Sequence, residues 1–143
     1  GADSNILNLD INTPLHTASL KGYVHIIKML LENEADPNIP DKREYTALHL
    51  VINAEMNHQT RDDIVQMLIE HGADANRNNE SQISPLHIAS HEGHARIVKI
   101  LLGNNADPNK TDKYGDCALH RVMINAEMDH QTRDDIVHLL IEH

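Results

Sequence analysis

The chain has 143 residues and a mass of 16.1 kDa, the size of one compact domain or a short repeat array. At 40% hydrophobic and 24% charged it is not a disordered chain, and 12 Lys and Arg against 22 Asp and Glu leave a net charge of −10. That sign argues against nucleic-acid phosphate or an anionic membrane surface as the main partner, since both need a positive face. Three Tyr with no Phe and no Trp force a core of Leu, Ile, Val, Met and Ala, which favours closely packed helices. A single cysteine, Cys117, excludes an intrachain disulfide and a cysteine-based zinc site. No apolar run reaches membrane-spanning length, Lys28 interrupting the run 26–31, and no signal peptide is visible. The expected compartment is intracellular, cytoplasmic or nuclear. Gly rather than Met at position 1 reads as a cut, processed or tagged piece of a longer sequence.

In chain order, a helix is predicted from Thr13-Pro14-Leu15-His16, with Thr as N-cap and Pro at the first helical position. A second, amphipathic helix follows over Ile26-Ile27-Lys28-Met29-Leu30-Leu31. The first pattern returns at Thr46-Ala47-Leu48-His49, Ser84-Pro85-Leu86-His87 and Cys117-Ala118-Leu119-His120, the histidines lying 33, 38 and 33 residues apart. The marker Ala-Asp falls at Ala2, Ala35, Ala73 and Ala106, followed by Asn two residues after the Asp in each, and keeps the same 33, 38 and 33 spacing. Two markers sharing one irregular rhythm define four repeats, near 8–40, 41–78, 79–111 and 112–143. One such helix pair cannot bury its apolar face alone, whereas a stack of them can.

These residues resemble the ankyrin repeat over essentially the whole chain, through the 33-residue period and the Thr-Pro-Leu-His signature. The resemblance implies an all-α solenoid of stacked helix–turn–helix units with β-hairpin fingers, and structural roles for His16, His49, His87 and His120. It also implies a non-enzymatic module or scaffold that binds a partner protein through a concave face of hairpin tips and first helices. The matching positions are Leu9, Asp10 and Asn12; Lys42, Arg43 and Tyr45; Glu80, Ser81 and Ile83; Lys113, Tyr114 and Asp116; with Leu20, Lys21, His91 and Glu92 on the helices. Tyr45, Tyr114, Leu9 and Ile83 are the expected exposed anchors. The family places Gly in the tip five residues before the His, and only Gly115 fits; Ile11, Glu44 and Gln82 stand at the others, where a Cβ is penalised if φ is positive. The resemblance also makes Asn38, Asn76 and Asn109 candidate targets of the asparaginyl hydroxylase that inhibits hypoxia-inducible factor. Each has Leu eight residues before it and Asp two before it.

A longer period joins repeats into two modules, 1–71 and 72–143, in each of which the second repeat carries an insert. The insert from Asn53 to Val65 agrees with its copy from Asn125 at 12 of 13 positions, against 26 of 51 for residues 1–51. Ala54, Glu55 and Met56 are expected to prolong the first helix, with longer connections near 53–60 and 125–132. Thr60-x-x-Asp63 and Thr132-x-x-Asp135 would then restart the second helix. Recent duplication explains this agreement, and so does contact of both inserts with one kind of partner through Met56, His58, Met128 and His130.

No catalytic, metal or cofactor set emerges. His91-Glu92-Gly93-His94 has its histidines three apart on a turn, whereas a zinc-protease helix needs them four apart. Asp62-Asp63 and Asp134-Asp135 suit a helix first turn. Cys117 replaces a Thr N-cap and has no base partner legible in the sequence. Neither end carries a polar cap, so the expectation is exposed apolar helix faces and end-to-end self-association, the alternative being an architectural or engineered array.

Overall fold

The computed structural model describes residues 1–143 and contains eight helices. They are α1 (Pro14–Lys21), α2 (Val24–Glu32), α3 (Ala47–Asn53), α4 (His58–Glu70), α5 (Pro85–Glu92), α6 (Ala95–Gly103), α7 (Ala118–Ile124) and α8 (His130–Glu142). The chain divides into two compact units, Gly1–Asp74 and Ala75–His143. In the first, α1 packs on α2 and α3, and α4 packs on α2 and α3. In the second, α5 packs on α6 and α7, and α8 on α6 and α7. Each unit is therefore two helix pairs, one stacked on the other. No helix is long and apolar enough to cross a membrane.

Each first helix opens through a reciprocal cap in which the histidine takes the third helical position. The side chain of Thr13 accepts from the His16 N–H at 3.3 Å, while the His16 ring takes the Thr13 N–H at 3.0 Å. Thr46–His49, Ser84–His87 and Cys117–His120 repeat the arrangement. Gly22 and Gly93 end α1 and α5 in the left-handed region, at φ 69° and 78°, and let the chain turn directly into the second helix. The cores are aliphatic, with Leu15, Ile27, Leu48, Ile52, Ile64 and Leu68 enclosed in the first unit and Leu86, Ile97, Leu101 and Ile136 in the second.

Two sequence expectations change. The tips are not strand hairpins. Each is closed by two backbone bonds within five residues, such as Asp41 N–H to Tyr45 O at 2.8 Å with Glu44 N–H to Asp41 O at 3.0 Å, too short a loop for a ladder. Nor does the insert lengthen α3, which stops at Asn53. Asn57 rather than Thr60 caps α4, its Oδ1 accepting the Thr60 N–H at 2.8 Å, and Asp129 caps α8 through the Thr132 N–H at 2.9 Å. The added residues lengthen the second helices instead, to 13 residues against 9 in α2 and α6. Asn57 and Asp129 are the one position at which the insert copies differ, and both residue types cap well.

Candidate functional site

The tips owe their shape to one side chain each. The carboxamide or carboxylate of Asn8, Asp41, Asn79 or Asp112 accepts two backbone N–H groups of the following turn; for Asp41 these are Arg43 at 2.8 Å and Tyr45 at 2.9 Å. That tight turn drives Ile11, Glu44 and Gln82 to φ values of 61°, 64° and 63°, as it does Gly115 at 83°. The three non-glycine residues therefore hold a left-handed conformation that costs roughly 1–2 kcal/mol each. The tip is nonetheless secured from behind, where the His16 ring N–H donates to Tyr45 O at 3.1 Å and that of His87 to Asp116 O at 3.0 Å. With Nδ1 already accepting the cap N–H, these rings must be neutral and protonated at Nε2. Burial lowers the pKa of both.

In the first unit Leu9 projects fully into solvent and Asp10, Lys42 and Arg43 are exposed, while Asn12 is half-buried. Tyr45 is half-buried too, its ring edge-on to His49 at 5.6 Å. Leu20 and Lys21 are exposed at the end of α1. In the second unit Tyr114 is 75% exposed with the Lys113 ammonium 5.1 Å from its ring centroid. The Lys113 N–H also donates to Ser81 O at 3.3 Å, tying neighbouring tips together. Ser81, Ile83 and Asp116 are half-buried and Glu80 is exposed. On α5, Glu92 is exposed and His91 half-buried, its carbonyl accepting the Asn125 amide at 2.6 Å. Lining up frame positions in the sequence selected these residues but could not separate projecting side chains from packed ones.

The inserts lie against their own units. A Cβ at Gly22 would sit 3.6 Å from Thr60 Cγ2 and 3.8 Å from Met56 Cε; at Gly93 it would meet Thr132 Cγ2 at 3.5 Å and Met128 Cε at 3.6 Å. Met56 and Met128 thus cover the helix-to-helix turn of the preceding repeat, while His58 and His130 face solvent. The buried Arg61 donates to the carbonyls of Ala54 at 2.6 Å and Met56 at 3.3 Å, and Arg133 to that of Asn125 at 2.6 Å. Sequence reasoning missed this: the arginine seven or eight residues after the carbonyl it satisfies was the available signal.

The marker turns form a hydrogen-bonded series. The amide of Asn5 reaches Glu34 O and the Asp36 N–H; that of Asn38 reaches Gly72 O and the Asp74 N–H, both at 2.8 Å; that of Asn76 reaches Asn105 O and the Asp107 N–H. The side-chain amide of Asn109 has no partner. His120 does lie beside Cys117, its Nδ1 3.1 Å from Sγ, so the thiol has an imidazole neighbour that the sequence reading did not supply. No three His, Cys, Asp or Glu side chains gather in a metal-binding arrangement.

A sequence model of the ankyrin repeats, three copies long, matches residues 1–79 and 52–143. The chain belongs to the ankyrin-repeat family. Such repeats are generally non-catalytic protein–protein interaction modules. The array is 32% identical over 110 residues to a "Transient receptor potential cation channel subfamily A member 1 homolog" of Caenorhabditis elegans, covering 77% of this chain and 9% of that protein. It is 34% identical over 119 residues to "Palmitoyltransferase AKR1" of Lachancea kluyveri, covering 82% and 16%. It is 36% identical over 126 residues to "Putative ankyrin repeat protein L86" of Acanthamoeba polyphaga mimivirus, covering 76% and 22%. The array thus spans from about a tenth to about a fifth of the length of these relatives.

Proposed function

We propose that this ankyrin array is a non-enzymatic docking module whose partner is a protein segment held on its turn tips and the ends of its first helices. The observation that carries the reading is Tyr114, an aromatic ring 75% exposed at a tip and braced by the Lys113 ammonium. Aromatic residues are enriched at interfaces and dominate their energetics. Leu9 offers a second apolar projection in the first unit, flanked by Asp10 and, on the next tip, by Lys42 and Arg43. A partner segment of mixed charge suits tips that carry both signs. The single cysteine and absence of disulfides suit a reducing compartment, the cytoplasm or nucleus.

Peptides selected from a random display library against the intact chain, then measured by calorimetry, test this reading. Tyr114→Ala should weaken binding at least tenfold, about 1.4 kcal/mol or more, with the melting temperature unchanged. Binding indifferent to Tyr114→Ala and Leu9→Asp but lost in His58→Glu would move the partner to the insert edge.

A further inference from the structure

We propose that α6 and α8 form a second docking site, which seats a partner helix bearing aliphatic side chains flanked by Asp or Glu. Between these two helices of the second unit lies an open cleft of about 570 Å³, lined by Ala95, Arg96, Lys99, Ile100 and Leu139. The counterparts on α2 and α4 of the first unit are Val24, His25, Lys28, Met29 and Met67. Every difference between the two sets opens the cleft or makes it more positive. Ala95 lacks the two methyl groups of Val24, and Ile100 and Leu139 are shorter than the methionines they replace. Arg96 brings a permanent charge where the first unit has His25. Lys28 lies 3.8 Å from Glu32, four residues on, whereas Lys99 has Gly103 at that place and pairs with no carboxylate. Leu139 is half-buried, as Met67 is in the first unit, so its partial exposure belongs to this register of the second helices.

The chemistry of the cleft selects its occupant. An apolar floor with cations at its rim calls for aliphatic groups with carboxylates beside them. The acids of α8 on either side of Leu139 are already engaged. Asp135 Oδ1 accepts from the Gln131 amide at 2.8 Å, and Glu142 Oε1 lies 3.8 Å from His138 Nδ1. Lys99 is the cation left for an incoming carboxylate. The chain as a whole carries a net charge of −10 and repels acidic segments, so one that binds is directed to this rim. The cleft is open on its outer side, where a small ligand would keep much of its surface in water. A helix instead inserts only the side chains spaced three and four residues apart and leaves its backbone outside. This site uses the second helices, so it is separate from the tips and the ends of the first helices.

Amide NMR of the chain, titrated with a synthetic helix of about 14 residues that carries Leu at three- and four-residue spacing and Glu beside each Leu, tests the proposal. The expected result is movement of the Lys99, Ile100 and Leu139 amides, with those of Met29 and Met67 unmoved. The same helix with Lys in place of Glu, or Ala in place of Leu, should bind about tenfold more weakly or worse. Lys99→Glu should weaken binding by about tenfold or more with the melting temperature unchanged. Gly103→Glu, which restores the acid that Lys28 has in the first unit, should weaken it less. No movement at the cleft amides, equal movement at Met29 and Met67, or binding indifferent to Lys99→Glu overturns the proposal. So does dodecanoate moving the cleft amides while the Leu and Glu helix moves none, which would assign the cleft to a small amphiphile.

Discussion

The tips of the second and fourth repeats are built on one plan with different surroundings. Asp41 and Asp112 each accept two backbone N–H groups of their own turn, yet Asp41 is half-buried while the Asp112 carboxylate is enclosed. Nine residues on, the second repeat has Leu50 and the fourth has Arg121, whose guanidinium bonds to Asp112 Oδ2. Burial alone would raise the Asp112 pKa; Arg121 and the N–H groups of Tyr114 and Asp116 overcome it, leaving the carboxyl below its ordinary value. A turn carboxylate can be sealed from water only when a cation is sealed beside it.

Exchanging the two residues breaks the comparison most sharply. Arg121→Leu gives the fourth repeat the residue of the second but leaves the carboxylate buried, and should cost about 3 kcal/mol in urea denaturation. Leu50→Arg, beside a carboxylate already hydrated, should change stability by less than about 0.5 kcal/mol. Equal effects would show that Arg121 does not compensate Asp112.

The signature histidines give the next largest contrast. His16→Ala and His87→Ala each leave a cap N–H and a tip carbonyl without a partner inside the fold, so a loss of about 2 kcal/mol is expected. His120→Ala, at an exposed ring with water for company, should cost less than about 1 kcal/mol. Titration separates the same groups. Because burial holds the folded pKa of His16 and His87 below 6.5, the unfolded chain binds more protons as pH falls. Their contribution to stability is complete above about pH 6.5 and declines below it. Denaturation midpoints measured between neutral and mildly acid pH should fall accordingly, and less steeply in His87→Ala.

The smallest effect compares tips of equal shape. Gln82→Gly should gain up to about 1 kcal/mol by relieving a left-handed φ of 63°, and Gly115→Ala should lose a similar amount. A loss in Gln82→Gly would mean that its side chain holds the tip.

Much of this was legible in the residues themselves. Two markers in one rhythm fix four repeats, and Thr-Pro and Ser-Pro fix where α1 and α5 begin, because capping and proline geometry are local and need no distant partner. The aliphatic core likewise follows from a composition almost without large rings. What the residues could not disclose is where side chains meet across repeats. Ala54, Glu55 and Met56 read as helix by propensity, yet the chain leaves the helix there because Met56 finds the turn at Gly22 and Arg61 finds the freed carbonyls. Tyr45 and Tyr114 look alike as tip residues, yet one ring packs on His49 and the other projects into water. Local chemistry sets the repeat; burial is settled only when one repeat is laid against another.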